Sequence, residues 1–232
     1  MALTSETAAA EPLDEATITS LADKVYVEIR DRIMAGAFPQ GSRLRERELA
    51  DALGVSRIPL REALPRLEAD GFVATSPRRG ARVAQLTVRD IEEVYTVRLG
   101  VDVFAARLAA LRAAAGAATA GLVTAIEVAD AALADDDFDA ITTANSDLHQ
   151  EIVLLAGNSL LTAMMRPVTG RARWVSRLTS YPDPGVAQAE HHALRDAILA
   201  GNADLAAALQ YAHIEAGREP TLSALRGILP EE

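Results

Sequence analysis

Hydrophobic positions recur at helical spacing along most of this chain. Leu21, Val25, Ile29 and Ile33 or Met34 lie on one stripe, and Gly36 follows it, which predicts a first helix over 18–35. A loop with Pro39 and Gly41 leads to a second helix, Leu44–Leu53. Leu53-Gly54-Val55 reads as a tight turn. Ser56 stands at the N-cap of a third helix, Ser56–Asp70, whose buried face is Leu60, Ala63, Leu64 and Leu67. The period then changes. Phe72–Thr75 and Ala81–Val83 are short strand-like pieces around Ser76-Pro77-Arg78-Arg79-Gly80. From Thr87 onward only helical spacing remains, in segments near 87–114, 117–134, 137–156, 159–179, 186–200 and 202–217, with a short seventh piece expected over 220–228. Thr87 with Asp90 reads as a capping box.

The expected fold is mainly α. An N-terminal winged helix-turn-helix occupies 18–86, and an antiparallel bundle of six or seven helices occupies 87–232. Residues 1–17 are polar and acidic and read as a disordered tail without the features of a signal peptide. No apolar run reaches the roughly 20 residues of a membrane span, so a cytoplasmic location and no membrane partner are expected. There is no cysteine, which excludes disulfides and thiolate metal sites.

The net charge of −10 argues against nucleic acid until it is divided. Residues 18–86 carry 12 basic and 9 acidic side chains, a net of +3, whereas the remainder nets −13. The local field decides affinity for DNA. Six arginines sit where such a module touches a duplex. Arg57 and Arg61 share one face of the third helix and can pair with guanine edges; Arg45 and Arg47 open the second helix; Arg78 and Arg79 lie on the wing beside Gly80. A single arginine of this kind reads equally well as solvated surface. Six together favour contact with DNA.

The chain has four histidines: His149, His191, His192 and His213. Asn145 and His149 are i,i+4 on one helix, His191 opens a later helix, and His213 lies on the last. Imidazoles with a side-chain oxygen suit a divalent ion such as zinc or nickel. Spacing alone leaves this open against ordinary surface or core histidines. Arg98 is a candidate anchor for an acidic ligand, or the partner of Asp102 four residues on.

The run from Leu44 to Val83 resembles the GntR family of bacterial transcriptional regulators. That resemblance implies DNA contact by Arg47, Ser56, Arg57, Arg61 and Arg79. Two departures stand out: Ile58 occupies a place where threonine is common, and Pro65, inside the third helix, is expected to kink its second half. Residues 88–217 are similar to the FCD ligand-binding domain of the FadR subfamily, through Asp90–Arg98, Asn145-x-x-x-His149 with Ala156-Gly157-Asn158, Glu190-His191 and His213. This resemblance implies that Asn145, His149, His191 and His213 ligate a metal inside the bundle, that the effector is a small organic acid near Arg98, and that His192 stands outside the site. The function expected is a homodimeric regulator reading a pseudo-palindromic operator, a repressor released by a carboxylate. The alternatives are a metal-dependent hydrolase with an attached nucleic-acid module and an architectural DNA-binding dimer. Against the first of these, no H-E-x-x-H arrangement or nucleophile–base pair is present.

Overall fold

A computed structural model describes residues 20–76, 80–179 and 183–232. The expected tail over 1–17 and the wing arginines Arg78 and Arg79 lie outside the described residues. The elements run α1 Leu21–Met34, β1 Arg43–Leu44, α2 Glu46–Leu53, α3 Arg57–Ala69, β2 Val73–Ser76, β3 Gly80–Val83, α4 Val88–Ala114, α5 Ala120–Ala134, α6 Phe138–Leu155, α7 Ser159–Leu178, α8 Pro184–Leu199 and α9 Ala203–Leu225.

The N-terminal part is a winged helix-turn-helix and the remainder an all-α bundle. Ser20 and Asp23 close a capping box on α1, and Thr87 and Asp90 do the same on α4. Gly54 ends α2 in the left-handed conformation, φ 65°, which sets the turn into α3. The sheet order is β1-β3-β2, antiparallel throughout.

Three local expectations need correction. Leu44 does not open the second helix but forms a short strand with Arg43, because the two pair with Ala81 and Arg82 while Leu44 is buried. Arg45 is therefore the cap residue of α2 and only Arg47 lies within it. Helix α8 begins at Pro184, since proline suits a first turn and Asp183 Oδ1 accepts from the Gly185 and Val186 amides at 2.9 and 3.2 Å. No separate seventh bundle helix exists among the described residues. Helix α9 runs unbroken past exposed Pro220 to Leu225 because Leu222 and Leu225 are buried in the core.

One core cluster joins the two parts. Ile29, Leu60, Leu67 and Phe72 of the winged domain share it with Ile91, Tyr95, Trp174, Leu222 and Leu225 of the bundle. The Phe72 and Trp174 rings lie 5.7 Å apart. Tyr26 donates to Asp70 Oδ2 at 2.6 Å, and Arg166 of α7 donates to the same oxygen at 3.0 Å. Gly71, at φ 80°, has Arg171 against it so closely that a Cβ there would stand 2.3 Å from the guanidinium Nε. Helix α7 thus grips the winged domain, alongside α4 and α9 in the shared core. A second cluster, led by Ile126, Leu148, Leu194 and Ile198, fills the bundle interior around α4, α5, α6 and α8.

Candidate nucleic-acid interface and metal centre

The outer face of α2 and α3 carries the basic residues. Arg45, Arg47, Ser56, Arg57 and Arg61 are all exposed, as is Gly80 at the start of β3. Ser56 takes the N-cap position with extended backbone, φ −72° and ψ 169°, yet its hydroxyl caps no amide. The N–H groups of the first turn of α3 therefore point outward with the positive end of the helix dipole. Two of the arginines have acidic partners: Arg61 Nε lies 2.9 Å from Glu46 Oε2, and Arg45 Nη1 lies 2.7 Å from Glu48 Oε1. These exposed pairs are weak enough to exchange for other partners such as phosphate. Ile58, 70% exposed, presents an apolar side chain beside them. Helix α3 continues past Pro65, whose side is exposed, to Ala69.

Three helices of the bundle bring His149, His191 and His213 together. One ring nitrogen from each lies within 4.8 Å of the others. His191 and His213 are buried, and His149, half-buried, opens on a small cavity it shares with Arg98, Asp102, Asn145, Ser146 and Arg173. His192 is elsewhere: its Nε2 meets Asp130 Oδ1 at 2.8 Å.

The hydrogen bonds around the cluster define its chemistry. Gln188 Nε2 donates to Asp130 at 2.8 Å, which turns its Oε1 toward His191 Nδ1 at 3.2 Å. An amide oxygen only accepts, so His191 carries its proton on Nδ1. His213 Nδ1 faces the Glu190 carboxylate at 2.7 Å and donates in the same way. With both rings neutral, the two Nε2 atoms carry lone pairs, and they face each other at 3.2 Å. Two lone pairs at that separation repel unless an electrophile lies against them. The outer partners thus fix the tautomers a metal ligand needs. Burial first, then Arg98 and the neighbouring imidazoles, holds His149 well below the usual histidine pKa, and burial followed by His213 and Arg98 does the same for His191. Both rings are kept neutral, the protonation state that coordinates. The donor set therefore fits a divalent ion.

Arg98 is paired with Asp102, Nε to Oδ2 2.8 Å, and both are nearly buried. It also lines the cavity next to His149, so the helical ion pair and the cavity position coexist. Asn145 lies one turn before His149 on the same wall. Sequence reasoning missed the residues that orient the rings. Gln188 was legible as i−3 of His191; Asp130 and the Glu190–His213 pairing depend on helix packing and carry no local signal. Arg173, to which the sequence reading gave no site role, also stands in the cavity wall.

Comparison with known proteins agrees with the two-part architecture. Residues 93–216 match the FCD domain, and residues 21–83 match bacterial regulatory proteins of the gntR family. An uncharacterized HTH-type transcriptional regulator from the TAR-I ttuE-ttuC' intergenic region of Agrobacterium vitis is 36% identical over 154 residues, 63% of this chain and 90% of that protein. The gluconate operon transcriptional repressor of Bacillus licheniformis is 41% identical over 81 residues, 35% of this chain and 33% of that protein. A solved GntR transcriptional regulator from Rhodococcus sp. RHA1 superposes with a TM-score of 0.73 at 29% identity, over 89% of this chain and 99% of that one. A DNA-binding winged domain on an FCD bundle is the build of a transcription factor and not of an enzyme. The chain belongs to the GntR family of transcriptional regulators, in its FadR-like, FCD-bearing branch.

Proposed function

We propose that this regulator represses transcription by occupying a pseudo-palindromic operator as a homodimer, and that a small carboxylate bound at a metal site in the bundle releases it. One winged module reads a half-site, and twofold symmetry supplies the other. Arg57 and Arg61 read base edges; Arg45, Arg47 and Ser56 hold the backbone, together with Gly80 and the wing arginines Arg78 and Arg79. No described helix is long and apolar enough to cross a membrane, which accords with a cytoplasmic regulator.

The observation that carries the effector half is the convergence of ring nitrogens of His149, His191 and His213 within 4.8 Å, with Nδ1 of His191 and His213 turned to Gln188 and Glu190. His149, His191 and His213 would hold zinc or nickel, with Asn145 as a neutral oxygen ligand. Bound there, the ion supplies a Lewis-acidic contact for a carboxylate. Arg98, fixed by Asp102, supplies the opposing charge and hydrogen bonds from the α4 side. The name of the gluconate operon repressor supports the repressing sign.

Elemental analysis of the purified full chain tests the site. One divalent ion per chain is expected, unchanged in His192→Ala and absent in His149→Ala. A wild type that takes up no metal under zinc or nickel loading, or a His149→Ala variant that stays fully loaded, overturns the assignment.

A further inference from the structure

A second cavity, of about 330 Å3, lies between the winged domain and the bundle, a size typical of ligand pockets. Tyr26, Arg30 and Arg66 line it from the winged domain, and α6 and α7 from the bundle. The metal-side cavity is far smaller, about 30 Å3, room for about a water or two. The two share one wall: Val153 of α6 with Met165, Thr169 and Arg173 of α7. The three α7 residues are spaced i, i+4, i+8 and form a single stripe along that helix. A carboxylate entering the small cavity has to displace this stripe toward the large one. Two of its three members, methionine and arginine, are long and flexible.

Arg173 is the member with unmet needs. Its side chain is 20% exposed, and its Nε is buried with no hydrogen-bond partner among the described residues. Its one ion pair among the described residues is long, Nη1 to Asp147 Oδ1 at 3.4 Å. Arg30 of α1 lines the interdomain cavity with it but is itself paired with Asp31 at 2.8 Å, so it leaves the Arg173 Nε unmatched. A buried guanidinium of this kind gains most from a second carboxylate.

We propose that Arg173 is a second anion-binding arm of the effector site, so that the site selects a dicarboxylate and couples it to the winged domain. This rests on the carboxylate-effector reading above. One carboxylate lies toward the histidines and Arg98, and the other on the Arg173 guanidinium. The displaced stripe changes the cavity against which α1 packs. The winged domain is then held in one docked position on the bundle.

Calorimetric titration of the zinc-loaded full chain with succinate and with acetate tests this. The wild type should prefer succinate by at least about tenfold, the scale of one charge-assisted contact. Arg173→Gln should lose about tenfold for succinate while acetate stays within about twofold, and Arg173→Lys should recover part of the loss. Trp174 fluorescence reports folding, and Arg173→Met repeats the measurement should the glutamine variant not fold. An unchanged succinate-to-acetate ratio, or an equal loss for both acids, overturns the role of Arg173 alone. A wild type that binds neither acid overturns the carboxylate-effector reading and this inference with it.

Discussion

Replacing His213 by alanine separates the stability of the bundle from the stability its metal site adds. In the wild type, zinc held at one hundred times its dissociation constant contributes ~2.7 kcal/mol by mass action. For a chain of this length each kcal/mol moves the melting temperature by ~2–4 °C. The zinc-dependent rise should therefore be roughly 5–11 °C. His213→Ala removes one of the three converging imidazoles, whose nitrogens lie within 4.8 Å of one another, and with it that rise. The metal-free protein should suffer less. The lost ring leaves a small void, and Glu190, 36% exposed, loses a partner but keeps water. The melting temperature in excess chelator should thus fall by the equivalent of about 1–2 kcal/mol. Differential scanning calorimetry in chelator and in buffered zinc measures both numbers. A wild-type transition indifferent to zinc, or a full zinc shift retained by His213→Ala, refutes the reasoning.

Three further outcomes follow from named contacts. Arg57→Ala and Arg61→Ala should each weaken operator binding by ~1–3 kcal/mol beyond any loss on random DNA, whereas Arg45→Ala should weaken both alike; equal losses in all three by fluorescence anisotropy would remove the base-reading roles. Trp174→Ala deletes a fully buried ring packed on Phe72 and should cost ~3–5 kcal/mol in urea unfolding followed by circular dichroism; a loss under about 1 kcal/mol would mean that α7 does not grip the winged domain. Stability of the metal-free protein should fall between pH 6.5 and 5.5. His191, with its pKa depressed by burial, stays neutral in the fold while the unfolded chain gains the proton, at up to ~1.4 kcal/mol per pH unit. Flat urea midpoints across that window would count against neutral buried imidazoles.

Much of this was legible in the sequence because the determining interactions are local. The apolar stripe Leu60, Ala63, Leu64 and Leu67, the glycine at the α2–α3 turn and the Thr87–Asp90 cap are read within one or two helical turns, and each appears as expected apart from exposed packing detail. What escaped is long-range. Arg43–Leu44 becomes a strand only because β3 arrives nearly 40 residues later to pair with it. A break between 217 and 220 was expected, but Tyr95 donates to the Gly217 carbonyl at 3.1 Å and Leu222 and Leu225 are buried, so packing carries α9 through Pro220. The histidines were visible as a set on three helices. Their tautomers were not, since these depend on Gln188 being turned by Asp130 of α5 and on Glu190 of α8 meeting His213 of α9.

The central claim is that one site in the bundle governs DNA occupancy. Fluorescence anisotropy of a labelled operator duplex, titrated with zinc-loaded full chain with and without millimolar succinate, tests it most directly. The account predicts tight binding without the acid and at least about tenfold weaker binding with it, a response lost in His149→Ala and in excess chelator. Operator affinity that is the same with and without the acid, across succinate, malonate and citrate, would contradict it.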